Sequence, residues 1–144
     1  MNLFGMLEVS GSAMGAERLR AEVVSANMAN AESTRSSEGG AYRRKLVVFR
    51  ARPTARFPAL LARLHRGVQG GVQVQEVVAD SSPLPQKYEP GHPDADMSGY
   101  VTYPNVNPVL EMTDLLSAVR SYQLNASAVQ AAKTMLQQSL QILS

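Results

Sequence analysis

The sequence predicts an α+β fold: an N-terminal helix, a small β-rich insertion and a long C-terminal helix. Apolar residues recur every three or four positions at both ends of the 144-residue chain. Between those ends the pattern shifts toward alternation and β-forming residues. Six of the eight prolines lie at or after Pro83, and extended, turn-punctuated backbone is the natural consequence. The expected segments are 1–34 for the N-terminal helix, 35–106 for the insertion with a basic loop at about 43–70, and 107–144 for the C-terminal helix.

Residues 3–31 contain no proline and place Met6, Val9, Ala13, Ala16, Leu19, Val23 and Ala26 on one helical stripe. Gly5, Gly11 and Gly15 weaken the first turns, each by roughly 1 kcal/mol against alanine. The run "NMANAESTRSSEGG" ends the helix with polar turn formers and paired glycines. Asn27 and Asn30 have two candidate roles there: satisfying the last carbonyls, or bridging to a neighbouring subunit.

In the middle, "AYRRKLVVFRA" and "GGVQVQEVVAD" read as strands, and "GYVTY" is a third candidate. Asn107 and Pro108 then form a cap and first-turn pair. No proline or glycine follows to Ser144, so the helix would be roughly 55 Å long and the fold elongated. Its seam runs Met112, Leu115, Val119, Tyr122, Ala126, Val129, Lys133, Leu136, Leu140 and Leu143, in steps of three and four. A second stripe, displaced by about 200°, runs Ser117, Ser121, Leu124, Ala128, Ala131, Met135, Gln138 and Ile142. A helix of a soluble monomer keeps that side charged, yet residues 108–144 carry only Glu111, Asp114, Arg120 and Lys133. The second face calls for another copy or another protein.

Composition narrows the function classes. With no cysteine, the chain has no disulfide framework, thiol nucleophile or sulfur-ligated zinc. The N-terminal "MNLFGMLEVSGSAMG" lacks a basic n-region and an apolar run, and no segment approaches the ~20 apolar residues of a membrane helix. The expectation is a soluble chain made without a cleaved signal. The stretch "EPGHPDADMSGYVTYPNVNP" offers the nearest thing to a metal or catalytic site, in His92, Asp94 and Asp96. The other histidine, His65, lies in a basic segment, and no helical His pair, nucleophile elbow or phosphate loop completes a constellation. The structural alternative needs less. Gly91, His92 and Pro93 belong to a turn, Asp94 and Asp96 bond to backbone N–H groups, and Gly99 permits the reversal into "YVTY". No catalytic residue, cofactor or metal is therefore expected.

Charge is strongly segregated. Arg43, Arg44, Lys45, Arg50, Arg52, Arg56, Arg63 and Arg66 supply eight of the fourteen basic residues within 43–66, where no acid occurs. The remaining six basic residues share the rest of the chain with all twelve acidic ones. A solvated loop, a nucleic-acid-binding adaptor built on 43–66, and contact with acidic faces of neighbouring subunits are the readings this pattern allows.

Two longer stretches are similar to a known family. "ERLRAEVVSANMANAEST" followed by "YRRKLVVF" resembles the N-terminal signature of bacterial flagellar axial proteins, the rod and hook superfamily. "YEPGHPDADMSGYVTYPNVNPVLEMTDLLSAVRSYQLNASAVQAAKTM" resembles the proximal-rod type of basal-body rod protein. Here Glu89 replaces the family's usual aspartate, and Met28 stands where isoleucine is more common. The resemblance implies a non-enzymatic structural subunit of the periplasmic rod, exported through the flagellar type III apparatus without signal cleavage. It also implies terminal helices packed as an antiparallel coiled coil, self-assembly into the drive shaft and export channel for motility, and contact with other rod proteins, basal-body rings and the export gate. Subunit-contact candidates are then Asn27, Asn30, Leu124, Ala128, Ala131, Met135 and Ile142. The intrachain seam is Met112, Leu115, Val119, Tyr122, Val129, Leu136 and Leu140.

Overall fold

Asn107 opens the longest element. In the computed structural model, which describes residues 3–36, 39–52 and 70–143, its side-chain oxygen accepts from the N–H groups of Val109 (3.0 Å) and Leu110 (3.4 Å). Helix α2, Pro108–Leu143, starts there as predicted, with Pro108 at the position where a missing N–H costs nothing. Helix α1 covers Leu3–Ala29. Its end is closed by Asn30, whose Nδ2 donates to the Ala26 carbonyl (2.8 Å) while its N–H does the same (3.1 Å). Gly39 and Gly40 follow at φ of 88° and 75°, a backbone region that suits glycine.

Between the helices lie two small sheets. The strands β1, Lys45–Ala51, and β2, Val72–Ala79, form one pair. At one end Asp80 N–H donates to the Arg44 carbonyl (2.7 Å); at the other Arg52 N–H donates to the Gly71 carbonyl (2.8 Å), so the pair is antiparallel. Strands β3, Gln86–Tyr88, and β4, Tyr100–Thr102, form the second, with Gln86 opposite Thr102 and Tyr88 opposite Tyr100. The predicted strands are present. β3 is an addition, because three residues within a proline-rich run carry too little pattern to reveal a strand. The segment 53–69, which includes Arg56, Arg63, His65 and Arg66, lies outside the described residues.

The chain packs as two compact units. One comprises Met1–Leu19, Phe49–Gln75 and Ala118–Ser144. Within it Ser10, Ala16, Ala118 and Ala132 are buried. Ser12 Oγ donates to the Val9 carbonyl (2.8 Å) and accepts from Val72 N–H (3.1 Å). That approach leaves no room for a side chain at Gly71, where a Cβ would lie 2.7 Å from Ser12 Oγ. The other unit comprises Arg20–Val48 and Glu76–Ser117 and buries Val24, Asn27, Ala41, Val101 and Glu111.

The covered line on α2 corrects the predicted seam. Its buried positions are Glu111, Ala118 and Ala132, each one residue before the seam positions Met112, Val119 and Lys133. Met112 is 58% and Leu140 67% exposed, and Val119 and Tyr122 are also exposed, while Leu115, Val129 and Leu136 are partly covered. The line is rotated by roughly 60° from the apolar seam. The reason is chemical: the helix turns a carboxylate and small residues inward, and a search for apolar periodicity passes over both.

Candidate functional site

Asn27 and Glu111 are the largest polar side chains wholly buried among the described residues, and they touch. Asn27 sits in the last turn of α1 and Glu111 in the first turn of α2, and the chain entering β1, at Arg44 and Lys45, bonds to both. Asn27 Nδ2 donates to the Lys45 carbonyl (2.8 Å) and to Glu111 Oε2 (2.9 Å). Its Oδ1 accepts from Lys45 N–H (2.9 Å) and Tyr42 O–H (2.9 Å). All four bonding capacities of the amide are thus used within the chain. Asn27, expected at a subunit contact, therefore belongs to the interior of its own chain, while Asn30 takes the capping role.

Glu111 is held on its other side by Arg44, whose Nε donates to Oε1 at 2.5 Å. Arg44 Nη2 also reaches Asp114 (3.3 Å), and Asp114 in turn accepts from Arg20 (3.2 Å). Arg44 N–H donates to Asn105 Oδ1 (2.8 Å). This knot ties residues from 20 to 114 into one charge-compensated cluster, as a buried carboxylate requires. Burial, and then the nearby Glu111 carboxylate, raise the Tyr42 phenol above its ordinary value. Sequence reasoning missed Tyr42, Arg44, Asn105, Glu111 and Asp114 as site residues. One available signal was that α2, so poor in charge, places two carboxylates in its first two turns.

The turn around residues 89–103 is the second cluster. His92 Nδ1 accepts from Asp94 N–H (3.1 Å). The Asp94 carboxylate takes the Thr34 hydroxyl (2.8 Å) and pairs with Arg35. Thr34, and Arg35 after it, hold Asp94 below the usual carboxylate range. Asp96 Oδ1 accepts from the N–H groups of Ser98 (2.8 Å) and Tyr100 (2.9 Å). Lys87 and then Tyr103 pull Glu89 below its ordinary value through bonds of 2.5 and 2.8 Å. Asp96 bonds to backbone N–H groups, whereas Asp94, expected to do the same, and Glu89 take side-chain partners instead. Among the described residues no group of three His, Asp or Glu side chains is placed to hold a metal. Gly99 lies at φ 81°, and a Cβ there would meet the Tyr88 ring at 2.8 Å; Gly91 has ordinary φ and open space around it. Of the two glycines in the predicted turn, only Gly99 is demanded by geometry.

Comparison with known proteins gives the family. The family model for the flagellar basal body rod FlgEFG protein C-terminal region matches residues 97–142. The flagellar basal-body rod protein FlgC of Borreliella burgdorferi is 40% identical over 99% of both chains. The Bacillus subtilis FlgC is 40% identical, again over 99% of both, and the Escherichia coli O157:H7 FlgC is 39% identical over 97% of both. The chain belongs to the FlgC family of flagellar basal-body rod proteins. Membership agrees with a site made of structural bonds, since FlgC proteins are rod subunits of the motility organelle. Nothing in the FlgC relatives supports a nucleic-acid-binding adaptor. No helix among the described residues is long and apolar enough to cross a membrane.

Proposed function

We propose that this chain is a non-enzymatic subunit of the proximal rod, self-assembling with its own copies and other rod proteins into the periplasmic shaft and export channel. The observation that carries the reading is the apolar surface of α2. Leu124 is 67%, Met135 54% and Ile142 85% exposed, with Ala128 and Ala131 on the same stripe. A charge-poor face of that kind is stabilised by another protein surface. Asn30, at the accessible end of α1, is a further subunit-contact candidate. Basal-body rings and the export gate are the other expected partners.

Within this reading, 1–34 and 107–144 are the rod-forming helices and 35–106 the insertion. We assign them an antiparallel pairing, because Arg20 bonds to Asp114 and Asn27 to Glu111, steps that run in opposite directions along the two helices. The test is extraction of basal bodies from cells carrying a tagged copy. The chain is expected in the rod fraction, in fixed ratio to other rod proteins. Its recovery only as soluble protein, with rods intact, would overturn the proposal.

A further inference from the structure

A cleft of about 240 Å³ opens beside the polar knot, lined by Gly39, Tyr42, Arg43, Lys45 and Ala79. Its size is below the roughly 300–1,000 Å³ of small-molecule sites and suits a single side chain. Its charge is one-sided. Lys45 Nζ lies 5.9 Å from the Tyr42 ring centroid and has no carboxylate partner among the described residues. Among the described residues Arg43 donates only to main-chain carbonyls, of Asp80 and Ser82, both at 3.3 Å, and has no direct ion pair. The nearby Asp80 carboxylate is already engaged by the N–H and hydroxyl of Ser82, at 2.8 and 2.6 Å. Glu111, beneath Tyr42, is committed to Arg44 and Asn27.

We infer that this cleft receives a glutamate or aspartate side chain of a second copy of the chain. The inference rests on the rod-subunit reading and adds the chemistry of one contact to it. Charge complementarity points to a copy as the occupant. The window 43–66 holds eight basic residues and no acid, while the rest of the chain carries six basic and twelve acidic ones. The cleft itself is cationic, and carboxylates such as Glu32 and Glu76 stand exposed on the same chain, so a second copy can supply the acid. The aromatic wall and the ammonium beside it give a carboxylate a charge-assisted partner.

The experiment is zero-length carbodiimide coupling on isolated rods, which joins an amine to a carboxylate only where they touch. The chain has three lysines, Lys45, Lys87 and Lys133, so peptide mass mapping identifies the coupled lysine, and rods built from mixed isotope-labelled and unlabelled subunits show whether the link joins two copies. A Lys45–carboxylate link between two copies is expected, with Lys45 protected from amine labelling in rods but reactive in the free subunit. Lys45→Arg should assemble to within about twofold of the parent and lose the link. Lys45→Glu should cut incorporation at least about tenfold while the circular dichroism of the free subunit is unchanged. Equal labelling of Lys45 in rods and in free subunit, or a link only to a different rod protein, overturns the inference and leaves the rod reading intact. Duplex-DNA binding by the purified chain that Lys45→Glu abolishes, with rods unaffected, overturns it in favour of a nucleic-acid role. Absence of the parent chain from rods would instead refute the rod reading itself.

Discussion

Asn27 shows how one side chain sets the geometry around it. Its amide donates twice and accepts twice, so its partners distinguish nitrogen from oxygen. Asn27→Ala should destabilise the purified subunit by about 2–4 kcal/mol, because it strands buried groups on Tyr42, Lys45 and Glu111. Asn27→Asp, though nearly isosteric, should be no better, since it removes both donors and sets a second carboxylate against Glu111. Urea denaturation checks both; an Asn27→Asp protein as stable as the parent would show that the amide donors contribute little. In the 89–103 turn, Gly99→Val should cost about 2 kcal/mol or more, whereas Gly91→Val should stay within about 0.5 kcal/mol. His92→Asn should leave assembly largely intact, because an amide oxygen can accept the Asp94 N–H in place of Nδ1. The carboxyls of Glu89 and Asp94, held below their ordinary values, contribute stability that is present above the unfolded values and lost as pH falls through the folded ones. The turn should therefore loosen below about pH 4, seen as shifts in the amide resonances of residues 86–103. Constant resonances through that range would show that these carboxylates do not fasten it.

Helix α2 makes a sharper claim at the scale of the element. Val129 is partly covered and Ala131 is exposed, although only two residues separate them. Val129→Asp should lower the stability of the subunit by about 1–3 kcal/mol, since a charge on a covered position is poorly solvated. Ala131→Asp should leave helix content and solubility nearly unchanged, within about 0.5 kcal/mol, and still block incorporation and motility. Circular dichroism, basal-body isolation and a motility assay separate the two effects. Normal rods built from Ala131→Asp protein would remove the reason for assigning that stripe to a neighbour. The strands depend on their surroundings in a different way. β3 and β4 are three residues each, too short to stand alone, and are fastened by the Tyr88–Tyr100 edge contact at 5.3 Å and by the bonds of the turn between them.

For the molecule as a whole, the segregation of charge and the exposed apolar helix describe a chain completed by its neighbours. The rod reading also bears on export. Mass measurement of rod-incorporated protein should therefore find the encoded N-terminal region retained, apart from removal of Met1. Loss of the first 15 to 30 residues would show that the chain is processed as an ordinary secreted protein.

The two helices, their ends at Asn30 and Asn107, and three of the four strands are legible in the sequence, because capping, glycine placement and apolar periodicity are local properties. The flagellar family was legible as well, through the long stretches that include the 89–108 turn. What the tertiary structure alone decided was which side of each helix faces inward. Ala26 was expected inside and is exposed, while its neighbour Asn27 is fully buried; Met112 was expected inside and is exposed, while Glu111 is fully buried. Apolar periodicity assumes that polar side chains seek water. Asn27 and Glu111 satisfy their bonding with each other and with Tyr42, Arg44 and Lys45, residues scattered across the sequence, and only folding brings those partners within bonding distance.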